Sequence, residues 1–230
     1  MTNQLTHLAL IPDGNRRWAK AHNLPVLMGH RRVMEKVFPA LVKKCLDLEI
    51  KYFTIWGFST ENWSRSQEEV EGLFKLFNLF FEKFGQKLLK EGVRITFIGK
   101  REGLDERFNQ IINRWSELTQ ANEKLVLNIA FNYGGHDEII RAINQILNES
   151  NQKVITEDDF TNYLDTSRNG LPAPDLIIRT SGEQRLSGFM SWQSAYSELY
   201  FSQKMMPDWN EEDLQIAFDD FHARQRRFGK

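Results

Sequence analysis

The chain has 230 residues, enough for one domain with a large core, and no Pro/Gly/Ser-rich stretch divides it. Its 30 Lys and Arg against 31 Asp and Glu leave a net charge of −1, so no global field draws nucleic acid or an anionic membrane, and affinity for anions must be local. A single cysteine, Cys45, excludes an internal disulfide and a cysteine-rich zinc site. With a polar start and no apolar run of membrane-spanning length, a cytoplasmic protein is expected.

Residues 7–11 form the first expected strand, which runs into Ile11-Pro12-Asp13-Gly14-Asn15-Arg16-Arg17-Trp18. If a helix starts at Arg16, Gly14 and Asn15 expose backbone N–H groups where an anion binds, and Asp13 tolerates that anion through a divalent cation. A Mg²⁺-bound phosphate or diphosphate meets both conditions; a polar β-to-α turn with a helix cap is the plain alternative. In Gly29-His30-Arg31-Arg32, His30 has three candidate roles: capping a helix, binding phosphate or moving a proton.

A helix is expected over 33–48, with Cys45 on its apolar side, and a strand over 52–58. Next comes Ser59-Thr60-Glu61-Asn62-Trp63-Ser64-Arg65, which offers a hydroxyl, an amide and a fixed cation beside an aromatic platform. That set suits a phosphorylated substrate with an apolar body; a capped loop is the alternative. The helix expected over 67–90 is apolar on more than one face, through Val70, Leu73, Phe74, Leu76, Phe77, Leu79, Phe80, Phe81 and Phe84. Such a helix is buried on several sides or lines a lipid-accepting tunnel, and periodicity does not separate the two.

Further strands are expected over 93–98, 125–131 and 175–179, and helices over 104–120, 135–148, 156–164 and 211–226, the last capped by Asn210. The alternation predicts an α/β fold with a central, mainly parallel sheet flanked by helices and polar loops gathered at the strands' carboxyl ends. One such loop, Arg179-Thr180-Ser181-Gly182-Glu183-Gln184-Arg185-Leu186-Ser187, sets two arginines and several hydroxyls around a glycine. It can grip a diphosphate at several oxygens or rest as a surface loop tied by an Arg179–Glu183 pair. Glu198 enters an apolar stretch and needs a cation, a metal or a donor. Phosphate-loop, dinucleotide-fingerprint, zinc-protease and nucleophile-elbow motifs are all missing.

Taken together, D-G-N-x-R-W at 13–18, G-H at 29–30, F-S-T-E-N-W-x-R at 58–65, N-Y-G-G at 132–135, R-T-S-G-E-x-R-L-S at 179–187, A-Y-S-E-L-Y-F at 195–201 and R-R-F-G at 226–229 resemble the cis-prenyltransferases. Seven motifs in order cover nearly the whole chain. The resemblance implies a homodimer of subunits with an elongated hydrophobic tunnel between sheet and helices. It implies condensation of isopentenyl diphosphate onto an allylic diphosphate, with farnesyl diphosphate the expected primer, Mg²⁺ the cofactor and a cis-polyprenyl diphosphate, foremost undecaprenyl diphosphate, the product. A peripheral membrane contact for product release is part of the same expectation. A shorter-chain synthase and a non-catalytic partner subunit are the alternatives.

By position, the resemblance makes Asp13 the residue that holds Mg²⁺ and assists departure of the allylic diphosphate. Gly14, Asn15, Arg16 and Arg17 form the loop around that group, with Trp18 and His30 beside it. Asn62 matches the usual proton acceptor, while Ser59, Thr60, Glu61, Trp63 and Arg65 surround the substrates. Arg179, Arg185, Leu186 and Ser187 match the isopentenyl diphosphate site, and Glu198 the second metal contact. The chain departs from the pattern at Val26, where relatives carry a basic residue, and at Val33, where they carry glycine. For the first, two outcomes are open: Arg31 or Arg32 compensates, or the allylic preference is altered. Met34 and the phenylalanines crowd the tunnel whereas Gly57 leaves room, so product length stays open.

Overall fold

The computed structural model describes residues 4–149 and 154–225, so the motif at 226–229 and the end of the helix expected over 211–226 lie outside the described residues. Six strands form one sheet: β1 (His7–Ile11), β2 (Tyr52–Ser59), β3 (Val93–Ile98), β4 (Leu125–Tyr133), β5 (Leu176–Arg179) and β6 (Glu198–Phe201). Their order is β3-β4-β2-β1-β5-β6, and every pairing is parallel. The helices are α1 (Asn15–Ala21), α2 (Leu27–Arg32), α3 (Phe38–Asp47), α4 (Gln67–Lys90), α5 (Glu106–Thr119), α6 (Gly135–Glu149), α7 (Glu157–Asn162), α8 (Asp165–Arg168) and α9 (Glu211–Ala223).

Local chemistry sets several boundaries. Ser66, Asp105 and Asn210 cap α4, α5 and α9 by accepting backbone N–H groups of the first turn. The expected helix over 33–48 instead begins at Leu27 and reaches α3 through a π-helical stretch, Val33–Val37, a wide turn common at functional sites. Strand β6 was not expected. It is four residues long at the sheet edge, and its Glu198–Phe201 segment is too short for alternation to declare itself. Strand β2 passes register shifts between Trp56 and Ser59, irregularities of the kind that re-aim side chains beside active sites.

Alternation along β1 builds two cores. Leu8 and Leu10 face the larger one, with Phe53, Ile55, Leu127 and Ile129 of the sheet and residues of α3, α4, α5 and α9; Ala9 and Ile11 face the smaller one, with Tyr133, Phe189 and Met190. Most rings of α4 are core: Phe80 lies 4.9 Å from Phe38, Phe77 lies 4.5 Å from Phe131, and Phe81 stacks on Trp115. Cys45 is fully buried in the larger core, as its apolar neighbours predict. Among the described residues, no helix is long and apolar enough to cross a membrane.

Candidate active site

The sheet order reverses at β1, with β2 on one side and β5 on the other, and such a reversal opens a crevice beyond the carboxyl ends of the strands. A cavity of about 570 Å³ lies there. Its polar mouth carries Asp13, Gly14, Asn15, Arg16 and Arg17 from the turn after β1, His30 from α2, Ser59, Glu61, Asn62 and Arg65 from the segment after β2, and Arg179 and Ser187 from the β5 loop. Its apolar wall is made by Ile55 and Gly57 of β2, Val33, Met34 and Phe38 between α2 and α3, and Leu73, Leu76 and Phe77 of α4. Three polar loops distant in sequence thus meet at one mouth over a greasy interior.

The turn after β1 is rigid. Gly14 sits at φ +98°, a conformation L side chains rarely adopt, and a Cβ there would come within 2.8 Å of Ser181 Oγ. The Asp13 N–H donates to Thr180 Oγ1 (2.8 Å), the Thr180 hydroxyl donates to the Asp13 carbonyl (2.7 Å), and the Met206 N–H donates to the same carbonyl (3.0 Å). The Asp13 carboxylate accepts from Arg179 Nη2 (2.9 Å) and from the Gly14 N–H (2.6 Å), with Arg17 Nη2 at 3.5 Å. Burial works against ionisation of Asp13, but the Arg179 bond, the Gly14 N–H and the charges of Arg179 and Arg17 outweigh it and hold the carboxyl below its usual range.

Arg179 is buried and organises the β5 loop, because Nη1 donates to the Arg185 carbonyl and to Ser187 Oγ (2.8 Å). Across the mouth, Arg65 Nη1 donates to Glu69 Oε1 (3.0 Å), and Arg16 Nε lies 3.7 Å from the same oxygen. His30 faces these two cations; burial first, then Arg65 and Arg16, push its pKa down to about 3, so it is a neutral imidazole. Ser59 and Asn62 form a reciprocal cap in which Asn62 Oδ1 accepts the Ser59 N–H (3.1 Å).

Several expected site residues lie elsewhere. Trp18 is buried away from the cavity: its indole N–H donates to Asp208 Oδ1 (2.8 Å), and the ring stacks on His22 beneath Arg32. Trp63 donates to Asn132 Oδ1 (2.8 Å) and packs on Phe58 and Phe74. Thr60 binds Glu61, and Leu186 packs on the smaller core. Arg185 pairs with Glu183, and only its carbonyl reaches Arg179. Arg31 pairs with Glu35 and Arg32 donates to the Pro207 carbonyl; neither lines the cavity, whereas Arg16 does.

Glu198 lies outside this cavity in the single chain. It opens β6 in register with Leu176, at the amino end of the sheet, where its carboxylate accepts from Arg224 Nη1 (2.8 Å). Asp13 lies beyond the carboxyl end of β1, and strand rise alone separates the two levels by about 10 Å, so one chain does not bring Glu198 to Asp13. The room expected beside Gly57 is filled as well, since a Cβ there would lie 2.4 Å from Phe77 Cζ. Conversely, Glu69 and the Thr180–Asp13 interlock belong to the site without having been singled out for it. The i,i+4 spacing of Arg65 and Glu69 was the available signal for the former.

The family model described as "Putative undecaprenyl diphosphate synthase" matches residues 11–229. The chain belongs to this prenyltransferase family. It is 47% identical to an isoprenyl transferase of Thermotoga maritima over 97% of this chain and 96% of that one, and 45% identical to one of Rickettsia bellii with both chains fully covered. A (2Z,6Z)-farnesyl diphosphate synthase of Solanum lycopersicum is 44% identical over 97% of this chain and 78% of its own length. Among solved structures, lavandulyl diphosphate synthase from Lavandula x intermedia, in complex with dimethylallyl diphosphate, superposes with a TM-score of 0.95 at 33% identity, covering 99% of each chain. The prenyltransferase fold expected from the motifs is therefore the fold observed, and the enzyme is a prenyltransferase.

Proposed function

We propose that this prenyltransferase condenses isopentenyl diphosphate with an allylic diphosphate to give a cis-prenyl chain, with Mg²⁺ as cofactor. The observation that carries the reading is the Asp13–Arg179 pair, which joins the β1 turn to the β5 loop at the mouth of an apolar cavity. The β1 turn, with Arg16, Arg17 and His30, takes the allylic diphosphate; Arg179 and Ser187 take isopentenyl diphosphate. In the reaction the allylic C–O bond breaks and the electron pair leaves with diphosphate. The alkene of isopentenyl diphosphate forms the new C–C bond, and loss of a proton restores a double bond.

Asp13 fits Mg²⁺. Its carboxylate is held ionised by Arg179, the Gly14 N–H and Arg17, and a single charged oxygen ligand at the mouth would hold a hard divalent cation together with a bound diphosphate. When bound, Mg²⁺ neutralises charge developing on the departing diphosphate. Arg17 and Arg179 both hold Asp13, and Arg17, on the allylic side, has its positive charge in place beside the departing diphosphate before the bond breaks. Because Asn62 Oδ1 is engaged by Ser59, Asn62 orients the proton's acceptor, and a diphosphate oxygen is the final base. An Asn62→Ala enzyme with unchanged turnover would refute that role.

Undecaprenyl diphosphate is the leading product, and the short-chain alternative draws on the named farnesyl and lavandulyl relatives. The cavity, about 570 Å³, is of the size that holds one small molecule. A homodimer fits the exposed stripe Ile140, Ile143 and Leu147 on α6. Labelled isopentenyl diphosphate with geranyl, farnesyl or geranylgeranyl diphosphate, with and without Mg²⁺, followed by chain-length analysis, tests primer, product and metal together. No incorporation with any primer would overturn the reading.

A further inference from the structure

Two cations on one wall of the mouth depend on a carboxylate that does not itself line the cavity. Arg16 comes from α1 and Arg65 precedes α4, yet both reach a single oxygen, Glu69 Oε1, at 3.7 and 3.0 Å. The Glu69 side chain is 10% exposed, that of Arg65 21% and that of Arg16 56%. The carboxylate is therefore seated inside, and the guanidinium groups project from it toward the mouth. The backbone of Glu69 is fixed too, since its N–H donates to the Ser66 cap.

Unaided, the two guanidinium groups repel each other, and both raise the cost of a charge on neighbouring His30. One buried negative charge between them offsets that repulsion and leaves a net positive pair. The contacts use Nε of Arg16 and Nη1 of Arg65; each guanidinium has five N–H donors, so both forks keep donors for phosphate oxygens. We propose that Glu69 is a positioning residue for the allylic diphosphate, holding Arg16 and Arg65 as a two-guanidinium clamp opposite Asp13. This rests on the reading above, that the β1-turn side of the cavity takes the allylic substrate.

The clamp predicts an effect confined to one substrate. In the full-length enzyme with Mg²⁺, Glu69→Gln keeps the size of the side chain but removes the charge. It should raise the KM for farnesyl diphosphate at least about tenfold, while the KM for isopentenyl diphosphate and kcat stay within about threefold. Glu69→Asp should recover part of the loss. Glu71→Gln, on the same helix and paired with Gln67, should behave as wild type. Arg16→Gln, at an exposed position that threatens folding little, should reproduce the selective rise even if Glu69→Gln folds poorly. Equal changes in both KM values, or a fall in melting temperature with both KM values unmoved, would overturn the clamp. Failure of the underlying reading looks different: the wild type itself would transfer no prenyl group.

Discussion

Replacing Arg179 with methionine tests whether Asp13 owes its ionised state and its placement to one buried guanidinium. The substitution removes donated bonds to Asp13, the Arg185 carbonyl and Ser187, and leaves the Thr180 and Met206 contacts to the Asp13 backbone in place. The turn should therefore keep its path while its carboxylate loses its strongest partner. A bond to a charged group contributes about 1.5–3 kcal/mol, which for a chain of this size is about 3–12 °C in melting temperature. Loss of one preorganised charge-stabilising group costs about 10²–10³ in kcat/KM.

The pH dependence carries the sign. In the wild type the carboxyl is held low, so its favourable interactions are present above the ordinary carboxylate pKa and vanish as pH falls through the folded value. Without Arg179, burial, which already pushes the other way, meets only the Gly14 N–H and Arg17, so the folded pKa rises. The acid limb of the kcat/KM profile should move to higher pH in Arg179→Met. An unmoved acid limb with kcat/KM within about threefold of wild type would show that Arg179 does not hold the Asp13 carboxylate ionised.

Other outcomes follow from the same geometry. Gly14→Ala must adopt an unfavourable positive φ, about 1–2 kcal/mol, and press its methyl on Ser181, about 1–3 kcal/mol more; denaturant melts should show that loss together with weakened substrate binding. Trp18→Phe keeps a ring against His22 and Arg32 but loses the bond to the Asp208 carboxylate, so stability should fall by about 1.5–3 kcal/mol while both KM values stay within about twofold; a large KM change would return Trp18 to the substrate site. His7 and His30 are buried neutral, with pKa values pushed down to about 4 and about 3, so the unfolded chain binds protons that the folded one refuses below about pH 6.5. Each should contribute a slope of about 1.4 kcal/mol per pH unit as pH falls from 6 to 5, and His30→Asn should remove its share; denaturant melts across that range read it directly.

Where a residue's role follows from local pattern, the sequence already shows it. The first five strands are legible from β-branched runs, α4 from its apolar pattern and length, and the Asp13 turn from a glycine and carboxylate behind an apolar strand. What escaped depends on partners far along the chain. Trp18 sits inside a substrate-like motif, yet Asp208 claims its N–H; Glu198 reads as a carboxylate in need of a cation, a metal or a donor, and the cation it meets, Arg224, comes from far along the chain. Gly57 reads as open space until Phe77, from another element, is seen to fill it. Glu69 is the reverse case, an i,i+4 pair with Arg65 whose second cation, Arg16, arrives only through the fold.

In the proposed reaction Asp13 joins a divalent cation to the allylic diphosphate at the mouth of the cavity. Incorporation of labelled isopentenyl diphosphate onto farnesyl diphosphate, measured across a Mg²⁺ titration for wild type and Asp13→Ala, tests it most directly. The wild type should show Mg²⁺-dependent chain growth, and the variant a loss of about 10²-fold or more at every Mg²⁺ concentration. An Asp13→Ala enzyme that elongates at the wild-type rate, with chelator present, would contradict it.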